Sequence, residues 1–230
     1  MNQMKIATWN IERLKQSKKI AQIITACENV NADILILTEY DERVDLKNYP
    51  FQISTRGLAD LDAKYYEHTE KRVKIYSKYE ITKQYETYDE FTSCCAEINT
   101  EFGKLNVYGT ILGILGNRCQ NFKTDLPKQI VDYKKFSINQ NLCVAGDFNI
   151  SFSDNYYFTH SGRNELNECF KETGMTNLTE NLVWNIDHIA ITKEFLKLAE
   201  IELFEWNLEK NLSDHKGISA KLKVEVLADS

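Results

Sequence analysis

The chain has 230 residues, of which 43% are hydrophobic and 27% are charged, the balance of an ordinary globular protein. This composition excludes collagen-like, disordered and disulfide-scaffold proteins, and no apolar run approaches the ~18 residues of a membrane-spanning helix. With 28 basic and 34 acidic residues, the net charge of −6 argues against strong, sequence-blind coating of DNA. A phosphate substrate stays compatible with this charge if the acidic residues are concentrated around a metal ion.

Hydrophobic periodicity predicts strands and helices along the whole chain. In chain order, the predicted elements are a strand over 5–9, a helix over 17–27, strands over 33–37, 73–77, 81–88, 94–100 and 105–112, a helix over 121–138, a strand over 142–145, a helix over 163–173, and strands over 185–192, 199–206 and 217–226. The charged segment 57–72 is predicted to be a surface excursion. No linker or repeat interrupts the pattern, so we expect a single domain over 1–230. The elements favour an α/β fold in which two mixed β-sheets pack face to face, flanked by helices.

The six cysteines form neither a CxxC pair nor a spacing typical of a zinc site. Cys27 falls in a predicted helix and Cys143 in an apolar run, where thiols pack as small hydrophobic groups. The first ten residues lack the apolar stretch of a secretory signal. We therefore expect a cytoplasmic protein with reduced, buried cysteines, no membrane association and no obligate protein partner.

Polar residues end or interrupt five of the apolar strands, where core packing does not require them. In chain order they are Asn10 and Glu12, then Glu39, then Asp147 and Asn149, then Asp187, and finally Ser213-Asp214-His215. A lone Asp or Asn at a strand end is usually turn chemistry. Five such segments at strand ends favour a shared functional site instead.

This set of side chains favours one kind of chemistry. Carboxylates and carboxamides are ligands for a hard cation such as Mg²⁺ or Mn²⁺ rather than for zinc. His215 beside acidic partners would serve as an oriented base or an electrostatic group, and Asn149 would donate hydrogen bonds to an anionic phosphorane. The reaction class that fits is metal-assisted, in-line attack of water on a phosphate ester.

The ordered set resembles the endonuclease/exonuclease/phosphatase superfamily, the deoxyribonuclease-I-like fold. The resemblance runs from Trp9-Asn10 to Ser213-Asp214-His215, and its other specific part is Gly146-Asp147-Phe148-Asn149. It covers nearly the whole chain in the family's order. The resemblance implies a four-layered α/β sandwich, which agrees with the predicted elements.

The resemblance also implies roles for individual residues. The implied metal site has Glu39 as the principal Mg²⁺ ligand, lined or completed by Asn10, Glu12 and Asp214, with Mn²⁺ as a substitute ion. Asp147 would orient or deprotonate the attacking water, and Asn149 would stabilise the transition state. His215 would contact the scissile phosphate while Asp187 fixes its ring. Either His215 or Asp147 can be the general base, and both assignments stay open at this point.

Some positions depart from the family or lie outside its specific motifs. Ile111 stands where many members carry a second histidine in a Thr-His-Leu segment, and the Tyr-x-Pro-Asn segment of the abasic-site branch is absent. Candidate substrate contacts are Arg118, His160 and Trp184, although a solvated Arg118 and a core Trp184 are alternatives. His188 alternates with Asp187 along its strand and is expected to be a structural histidine.

The leading functional hypothesis is a Mg²⁺-dependent phosphodiesterase acting on DNA or RNA. A second hypothesis keeps the chemistry but takes a small or lipid phosphate ester, and the missing Thr-His-Leu histidine argues against it. A third hypothesis is a non-catalytic binding module with the same fold. That module would have lost metal-site residues, yet all five polar segments are present.

Overall fold

The computed structural model describes residues 2–197 and 199–224. Its strands are β1 (Asn2–Asn10), β2 (Ile34–Thr38), β3 (Phe51–Ser54), β4 (Val73–Ser77), β5 (Ile81–Tyr85), β6 (Ser93–Thr100), β7 (Gly103–Ile111), β8 (Leu142–Asp147), β9 (Met175–Asn177), β10 (Asp187–Thr192), β11 (Ala199–Trp206) and β12 (Gly217–Val224). Its helices are α1 (Ile20–Val30), α2 (Ala59–Asp62), α3 (Gln120–Ser137) and α4 (His160–Glu172), with single 3₁₀ turns at Glu12–Leu14 and Ser17–Lys19.

The strands form two mixed sheets of six. The first has the order β11-β12-β1-β2-β4-β3 and the second has the order β5-β6-β7-β8-β10-β9. The only parallel neighbours among the described strands are β1 with β2 and β7 with β8, both near the middle of their sheets. In both parallel pairs the strands end at the same edge of their sheet, so the loops that follow them emerge together.

Three apolar layers hold the sheets and helices together. The inner layer lies between the sheets and contains side chains such as Ile36, Ile75 and Val107. One outer layer joins α1 to the first sheet, and the other joins α3 and α4 to the second sheet. The architecture is therefore a four-layered α/β sandwich, and the predicted fold class is confirmed.

A glycine in β7 allows the two sheets to approach closely. A Cβ atom at Gly109 would lie 2.7 Å from Cγ1 of Val73 and 3.2 Å from Cγ1 of Ile75, both in the opposite sheet. Because Cβ atoms essentially never come within 3.0 Å of a neighbour, any larger residue here would push the sheets apart. This glycine therefore allows close contact between β7 of one sheet and β4 of the other.

Two short edge strands, β3 and β9, and the helix α2 were not predicted. β3 and β9 have four and three residues and pair on one side only, so they leave little periodic signal in the sequence. The predicted helix 17–27 is a 3₁₀ turn followed by α1, which ends at Val30 and is capped by Asn31 in the left-handed conformation. The last predicted strand, 217–226, is confirmed to Val224, and its final two residues lie outside the described residues.

The six cysteines are free, and five of them are buried, as expected. Cys119 is only half-buried and donates a hydrogen bond from Sγ to the carbonyl oxygen of Gly116, 2.9 Å away. None of the helices in the described part of the chain is both long and apolar enough to cross a membrane.

Candidate active site

The polar strand ends meet at one edge of the sandwich, between the two sheets. Asn10 ends β1 and pairs with Thr38, so Glu39 follows directly beside it. In the second sheet, Asp147 ends β8 and lies opposite Asp187, the first residue of β10. At this edge β1, β2 and β8 end and the antiparallel strand β10 begins. The strand order therefore brings residues that are far apart in sequence into one cleft.

Asn10 joins the two sheets through its amide group. Nδ2 lies 3.1 Å from Oδ2 of Asp147 in the second sheet and 3.3 Å from Oε1 of Glu39 in its own sheet. Its Oδ1 accepts a hydrogen bond of 2.8 Å from the backbone N–H of Glu12. The buried amide therefore fixes two predicted site carboxylates and the turn that carries a third.

His215 forms a short hydrogen bond with Asp187. The distance between Nδ1 of His215 and Oδ2 of Asp187 is 2.6 Å, and the Asp187 side chain is buried. The carboxylate only accepts, so Nδ1 carries a proton and Nε2 is left towards the cleft. Nε2 has a second acid nearby, because Oδ1 of Asp214 is 3.8 Å away.

The loop before β12 is held in place by its backbone, which orients His215. The carbonyl oxygen of His215 accepts hydrogen bonds from Nε1 of Trp9 at 3.1 Å and from Nδ2 of Asn207 at 2.7 Å. Oγ of Ser213 donates to the carbonyl oxygen of Asn10 at 2.6 Å and accepts from the His215 N–H at 3.1 Å. The serine before Asp214 thus ties this loop to the end of β1.

Burial and neighbouring charges shift the pKa values of two site residues in the same direction for different reasons. Burial raises the pKa of Asp147, with the negative charges of Asp187 and Glu39 adding to the rise and the His215 charge opposing it. Burial alone would lower the pKa of His215, but the negative charges of Asp187, Asp147 and Asp214 and the Asp187 hydrogen bond raise it well above its ordinary value. A protonated histidine therefore faces a carboxyl group whose negative form is disfavoured by burial.

Ligand atoms of Asp147, Asp187 and His215 all lie within 4.8 Å of one another. They form the one such cluster of His, Cys, Asp and Glu among residues 2–197 and 199–224. Sequence analysis placed these three in catalytic roles and placed the metal at Glu39, Asn10, Glu12 and Asp214 instead. The tight cluster and the predicted ligands adjoin each other, since Asn10 contacts both Asp147 and Glu39.

The donor set at this edge fits a divalent cation. Oδ1 of Asp187 is buried and accepts no hydrogen bond from the described residues. The side chain of the half-buried Glu39 accepts one hydrogen bond from the described residues, that of Asn10, and no described Lys or Arg forms an ion pair with it. Carboxylate oxygens without cationic partners are the ligands that Mg²⁺ and Mn²⁺ prefer.

Glu12 and Asp214 lie at the outer rim of the cleft. Oε2 of Glu12 is 3.3 Å from the backbone N–H of Asp214, and Oε1 forms an ion pair of 2.8 Å with Lys15. The Asp214 side chain is exposed. The two predicted metal-site residues therefore contact each other, but Glu12 already has a cationic partner.

Asn149 lies in the site with its amide nitrogen occupied. Nδ2 is 2.9 Å from the carbonyl oxygen of Leu112 and 3.3 Å from that of Gly113. Its backbone N–H donates to Oδ1 of Asp147 at 2.9 Å. Donation from this amide to a phosphate, as predicted, requires the side chain to rotate away from the two carbonyl groups.

Backbone strain is concentrated around the cleft. Glu12, Glu39, Asn149 and Trp184 have φ between 45° and 55°, the left-handed region that side chains with a Cβ rarely adopt. Gly146, with φ of 142°, precedes Asp147, and a Cβ there would lie 1.9 Å from the carbonyl oxygen of Thr110. Strained residues of this kind are retained where they place a functional group, and each costs of order 1–3 kcal/mol.

The three predicted substrate contacts have different environments. Trp184 lines a cleft of about 340 Å³ together with Asn149, Asp187 and His215, so the core alternative for this residue is wrong. Arg118 is exposed in a separate groove of about 330 Å³. His160 is exposed at the start of α4, where its ring packs edge-to-face on Phe158. Only Trp184 therefore shares the cleft with the histidine and acid cluster.

Sequence analysis missed several residues that line this cleft. They are Tyr156, Tyr157, Asn185, Lys210 and Lys216. Tyr156 and Tyr157 follow the Asp147 strand in the loop Ser153-Asp154-Asn155-Tyr156-Tyr157, where two aromatic residues in an otherwise polar loop were the available signal. Lys210 had no such signal, because its position depends on how the loop before β12 folds.

Ile111 occupies the position that lacks the family's second histidine. It pairs in register with Asp147, and its side chain is buried in the apolar layer between the sheets. Apolar packing beside Asp147 contributes to the burial that raises the pKa of that carboxyl. The departure noted in the sequence thus places an apolar side chain beside Asp147 where other members carry a histidine.

His188 faces away from the cleft, as predicted from the strand alternation. Nε2 donates to the carbonyl oxygen of Ile150 at 2.8 Å, and Nδ1 lies 2.8 Å from Oγ1 of Thr179. The ring packs against Phe148 and Phe152. Burial lowers its pKa to about 3, so this histidine is neutral and structural.

The chain is similar in structure to several solved proteins. The endonuclease domain of TRAS1, a telomere-specific non-LTR retrotransposon, superposes with a TM-score of 0.70 at 15% identity, covering 98% of this chain and 100% of that one. A D. rerio TDP2 humanised by 14 mutations gives 0.67 at 13% identity, with 96% and 99% covered. Beta toxin 275-280 from Staphylococcus aureus gives 0.64 at 16% identity, with 96% and 100% covered.

Because the sequence identities are low, these similarities establish the fold alone. No curated protein sequence matches the chain significantly. The family model described as the endonuclease/exonuclease/phosphatase family matches residues 7–215, which include the polar strand ends from Asn10 to His215. The chain therefore belongs to the endonuclease/exonuclease/phosphatase family and has the fold of its hydrolases.

Proposed function

We propose that this protein is a Mg²⁺-dependent phosphodiesterase that hydrolyses nucleic acid by in-line attack of water. The observation that carries the proposal is the Asp187–His215 pair, which faces the buried Asp147 at the acidic edge between the sheets. An oriented imidazolium, a buried carboxylate and free carboxylate oxygens are the groups that this reaction requires. The endonuclease named among the structural neighbours supports nucleic acid as the substrate class.

Asp147 is the proposed general base. Because burial raises the pKa of its carboxyl, its carboxylate is a stronger base than that of an exposed aspartate. Hydrogen bonds from Asn10 and from the Asn149 N–H fix the carboxylate in the cleft. Asp147 therefore orients the attacking water and removes its proton.

His215 is proposed to act in its protonated form. The surrounding acids raise its pKa well above neutrality, so the ring keeps its proton and is a poor base. With Nδ1 held by Asp187, the Nε2–H is free to contact a phosphate oxygen as negative charge develops on it. Between the two candidates for the base, the charges around the ring thus favour Asp147.

Glu39 is proposed as the principal ligand of the metal, with Asn10, Glu12 and Asp214 lining its site. A bound Mg²⁺ supplies positive charge that stabilises the phosphate oxygens in the transition state. Asn10 keeps Glu39 beside Asp147, and the Ser213 hydrogen bond to the end of β1 keeps Asp214 at the same rim. Asn149 is proposed to stabilise the transition state after its amide rotates from the carbonyl groups of Leu112 and Gly113.

The direct test is cleavage of defined nucleic acids. Purified protein is incubated with single- and double-stranded DNA and RNA in Mg²⁺, in Mn²⁺ and in EDTA, beside the variants Glu39→Gln and Glu28→Gln. We expect metal-dependent cleavage, and we expect Glu39→Gln to abolish it. Glu28→Gln is the control, because Glu28 is exposed on α1, and it should cleave as the wild type does. Absence of cleavage with every metal would refute the proposal, and a parallel phosphate-release screen on small and lipid esters then tests the second hypothesis.

Metal binding is tested separately by thermal unfolding. A ligand present at 100 times its dissociation constant stabilises the native state by about 2.7 kcal/mol, so saturating Mn²⁺ is expected to raise the melting temperature. Glu39→Gln is expected to remove most of this rise. A wild-type protein that does not respond to Mn²⁺ would favour a non-catalytic module.

A further inference from the structure

Two exposed aromatic side chains form one wall of the cleft that contains His215. Tyr156 and Trp184 are 45% and 65% exposed, with ring centroids 5.2 Å apart and planes tilted by 45°. They belong to different loops, one after β8 and one before β10. Large apolar faces exposed at the mouth of a cleft are typical of ligand contact rather than of packing.

One carboxylate fixes both aromatic residues. Oδ1 of Asp154 accepts from the Tyr156 N–H at 3.0 Å, and Oδ2 accepts from the Trp184 N–H at 2.7 Å. The same two loops are joined a second time, because Oγ of Ser153 donates to the carbonyl oxygen of Leu182 at 2.7 Å. The backbone that carries the two rings is therefore held in position before any ligand arrives, which reduces the entropy lost on binding.

The backbone at Trp184 is strained in order to present the ring. Its φ of 55° lies in the left-handed region, and the bond from its N–H to Asp154 holds it there. A strained and exposed tryptophan adds nothing to core packing. Strain of this kind is kept where a functional side chain must point in a set direction.

Lys210 adds a positive charge above this aromatic pair. Its Nζ is 5.6 Å from the centroid of the Tyr156 ring, and it forms no ion pair with a residue that the structure describes. Its loop is organised by Asn207, whose Oδ1 accepts from the Leu212 N–H and whose Nδ2 donates to the carbonyl oxygen of His215. The cation is thus tied to the backbone of the proposed catalytic histidine.

A flat ring system beside an anionic group matches these features, and a nucleotide has both. The face of a base is accessible to an aromatic side chain only when the base is unstacked, since duplex neighbours cover both faces. The net charge of −6 also disfavours non-specific attraction to the dense phosphates of a duplex. The features therefore select a single strand over a double helix.

We propose that Tyr156, Trp184 and Lys210 bind an unpaired nucleotide of single-stranded nucleic acid next to the scissile phosphate. Asp154 is a positioning residue, which acts by holding the backbone N–H groups of the two aromatic residues. This inference rests on the proposed function and adds the form of the substrate. Single-stranded DNA and RNA share the chemistry that the wall recognises.

The test is binding in EDTA, where no metal-dependent cleavage occurs. Fluorescence polarisation is measured with labelled oligothymidylate, oligouridylate and a duplex of equal length. We expect wild-type protein to prefer the single strands, and Tyr156→Ala and Trp184→Ala each to weaken that binding about five- to a hundredfold, the range for one stacked base. Phe204→Ala, which removes an equally exposed aromatic ring from β11, is the matched control and should change neither affinity.

Two further variants separate charge and positioning from general damage. Lys210→Ala should lower single-strand affinity and reduce the slope of log affinity against log salt by about 0.7, the value for one phosphate contact on a single strand. Asp154→Asn should reduce the preference for single strand over duplex, measured at temperatures well below the melting point of the variant protein. A merely structural role for Asp154 would leave that preference unchanged.

The outcomes distinguish this inference from the proposed function. If wild-type protein binds no oligonucleotide, or if Tyr156→Ala and Trp184→Ala bind as tightly as wild type or lose affinity for both forms equally, the inference is overturned. A protein that cleaves nucleic acid in Mg²⁺ while those variants bind normally retains the proposed function without this wall. If the wild type cleaves nothing but Tyr156→Ala and Trp184→Ala lose single-strand affinity, the nucleotide-binding wall is supported and the proposed function is refuted.

Discussion

One histidine lies against each face of β10, and the two are in opposite protonation states. On the cleft face, His215 is held by Asp187 at 2.6 Å, and the nearby carboxylates raise its pKa. On the outer face, His188 is surrounded by Phe148, Phe152 and uncharged hydrogen-bond partners, and burial lowers its pKa to about 3. The two positions differ in their partners far more than in their burial.

The two histidines differ in what their hydrogen-bond partners allow them to do. A buried histidine with a hydroxyl and a carbonyl as partners has every ring nitrogen satisfied in its neutral form, so it stabilises one arrangement of the fold. A histidine with carboxylate partners and one nitrogen facing a cleft keeps a proton available for a ligand. The role proposed for His215 therefore depends on the acids around it rather than on the presence of a histidine alone.

The largest expected effect is on the cleft face. His215→Ala should lower turnover on a cleaved substrate by roughly 10²–10⁴, the usual contribution of a positioned acid or base. The fold should persist, because the His215 hydrogen bonds that tie its loop to Trp9 and Asn207 use the backbone carbonyl. Initial rates and thermal melts are compared with those of His68→Ala, an exposed change. A loss of activity that only parallels a loss of melting temperature would contradict the assigned role.

The cleft face was also the part most accessible from sequence. Asp147, Asp187 and His215 follow or begin apolar strands, and this strand-end signal led to residues whose ligand atoms lie within 4.8 Å of one another. The fold class followed from the same periodicity. The hydrophobic pattern of a strand indicates which residues are buried and where the strand ends, and both features are encoded by residues close together in the chain.

The remainder depended on contacts that no local pattern encodes. Asp154 contacts Trp184 thirty residues away, and Lys210 reaches the cleft only through the fold of the loop before β12. Short edge strands such as Phe51–Ser54 bury too little to produce periodicity. Arg118 stays a predicted substrate contact, and it lies in a groove separate from the cleft that contains His215.

Asp187→Asn sharpens the comparison by removing the charge and keeping the shape. Without that charge, the pKa of His215 should fall towards its ordinary value of about 6.5. If the protonated ring is the working form, activity of the variant should fall about twenty- to thirtyfold between pH 6 and pH 8, relative to wild type. Rates across this range, with His215 titrated by NMR, provide the measurement. An activity of the variant that instead rises with pH relative to wild type would make His215 the base in place of Asp147.

The outer face predicts a pH effect on stability rather than on rate. The folded pKa of His188 is lowered to about 3, whereas the unfolded chain titrates near 6.5, so between these values the unfolded state binds more protons. Acidification from pH 7 to pH 5 should therefore reduce the free energy of unfolding by about 2 kcal/mol through this residue alone.

His188→Gln should remove that part of the pH dependence. Urea unfolding in EDTA at pH 7 and pH 5 measures it, and the difference between the two pH values should shrink by about 2 kcal/mol in the variant. His68→Gln, at an exposed position, should keep the wild-type difference. Equal pH dependence in wild type and His188→Gln would mean that His188 is accessible to protons in the native state.

The smallest effect on turnover is expected at Thr179, the hydroxyl partner of His188. Thr179→Val leaves Nδ1 of His188 without its 2.8 Å partner, but Nδ2 of Asn177 remains 3.4 Å away and substitutes in part. The hydroxyl also accepts from the buried Ile189 N–H at 3.2 Å, so the expected loss of unfolding free energy is about 1–3 kcal/mol, the range for a buried polar group left without its partner. Turnover should stay within twofold of wild type, because Thr179 contacts the outer face of β10 only. A large fall in turnover without loss of stability would show that the two faces are coupled, and the division between a packing histidine and a working histidine would then fail.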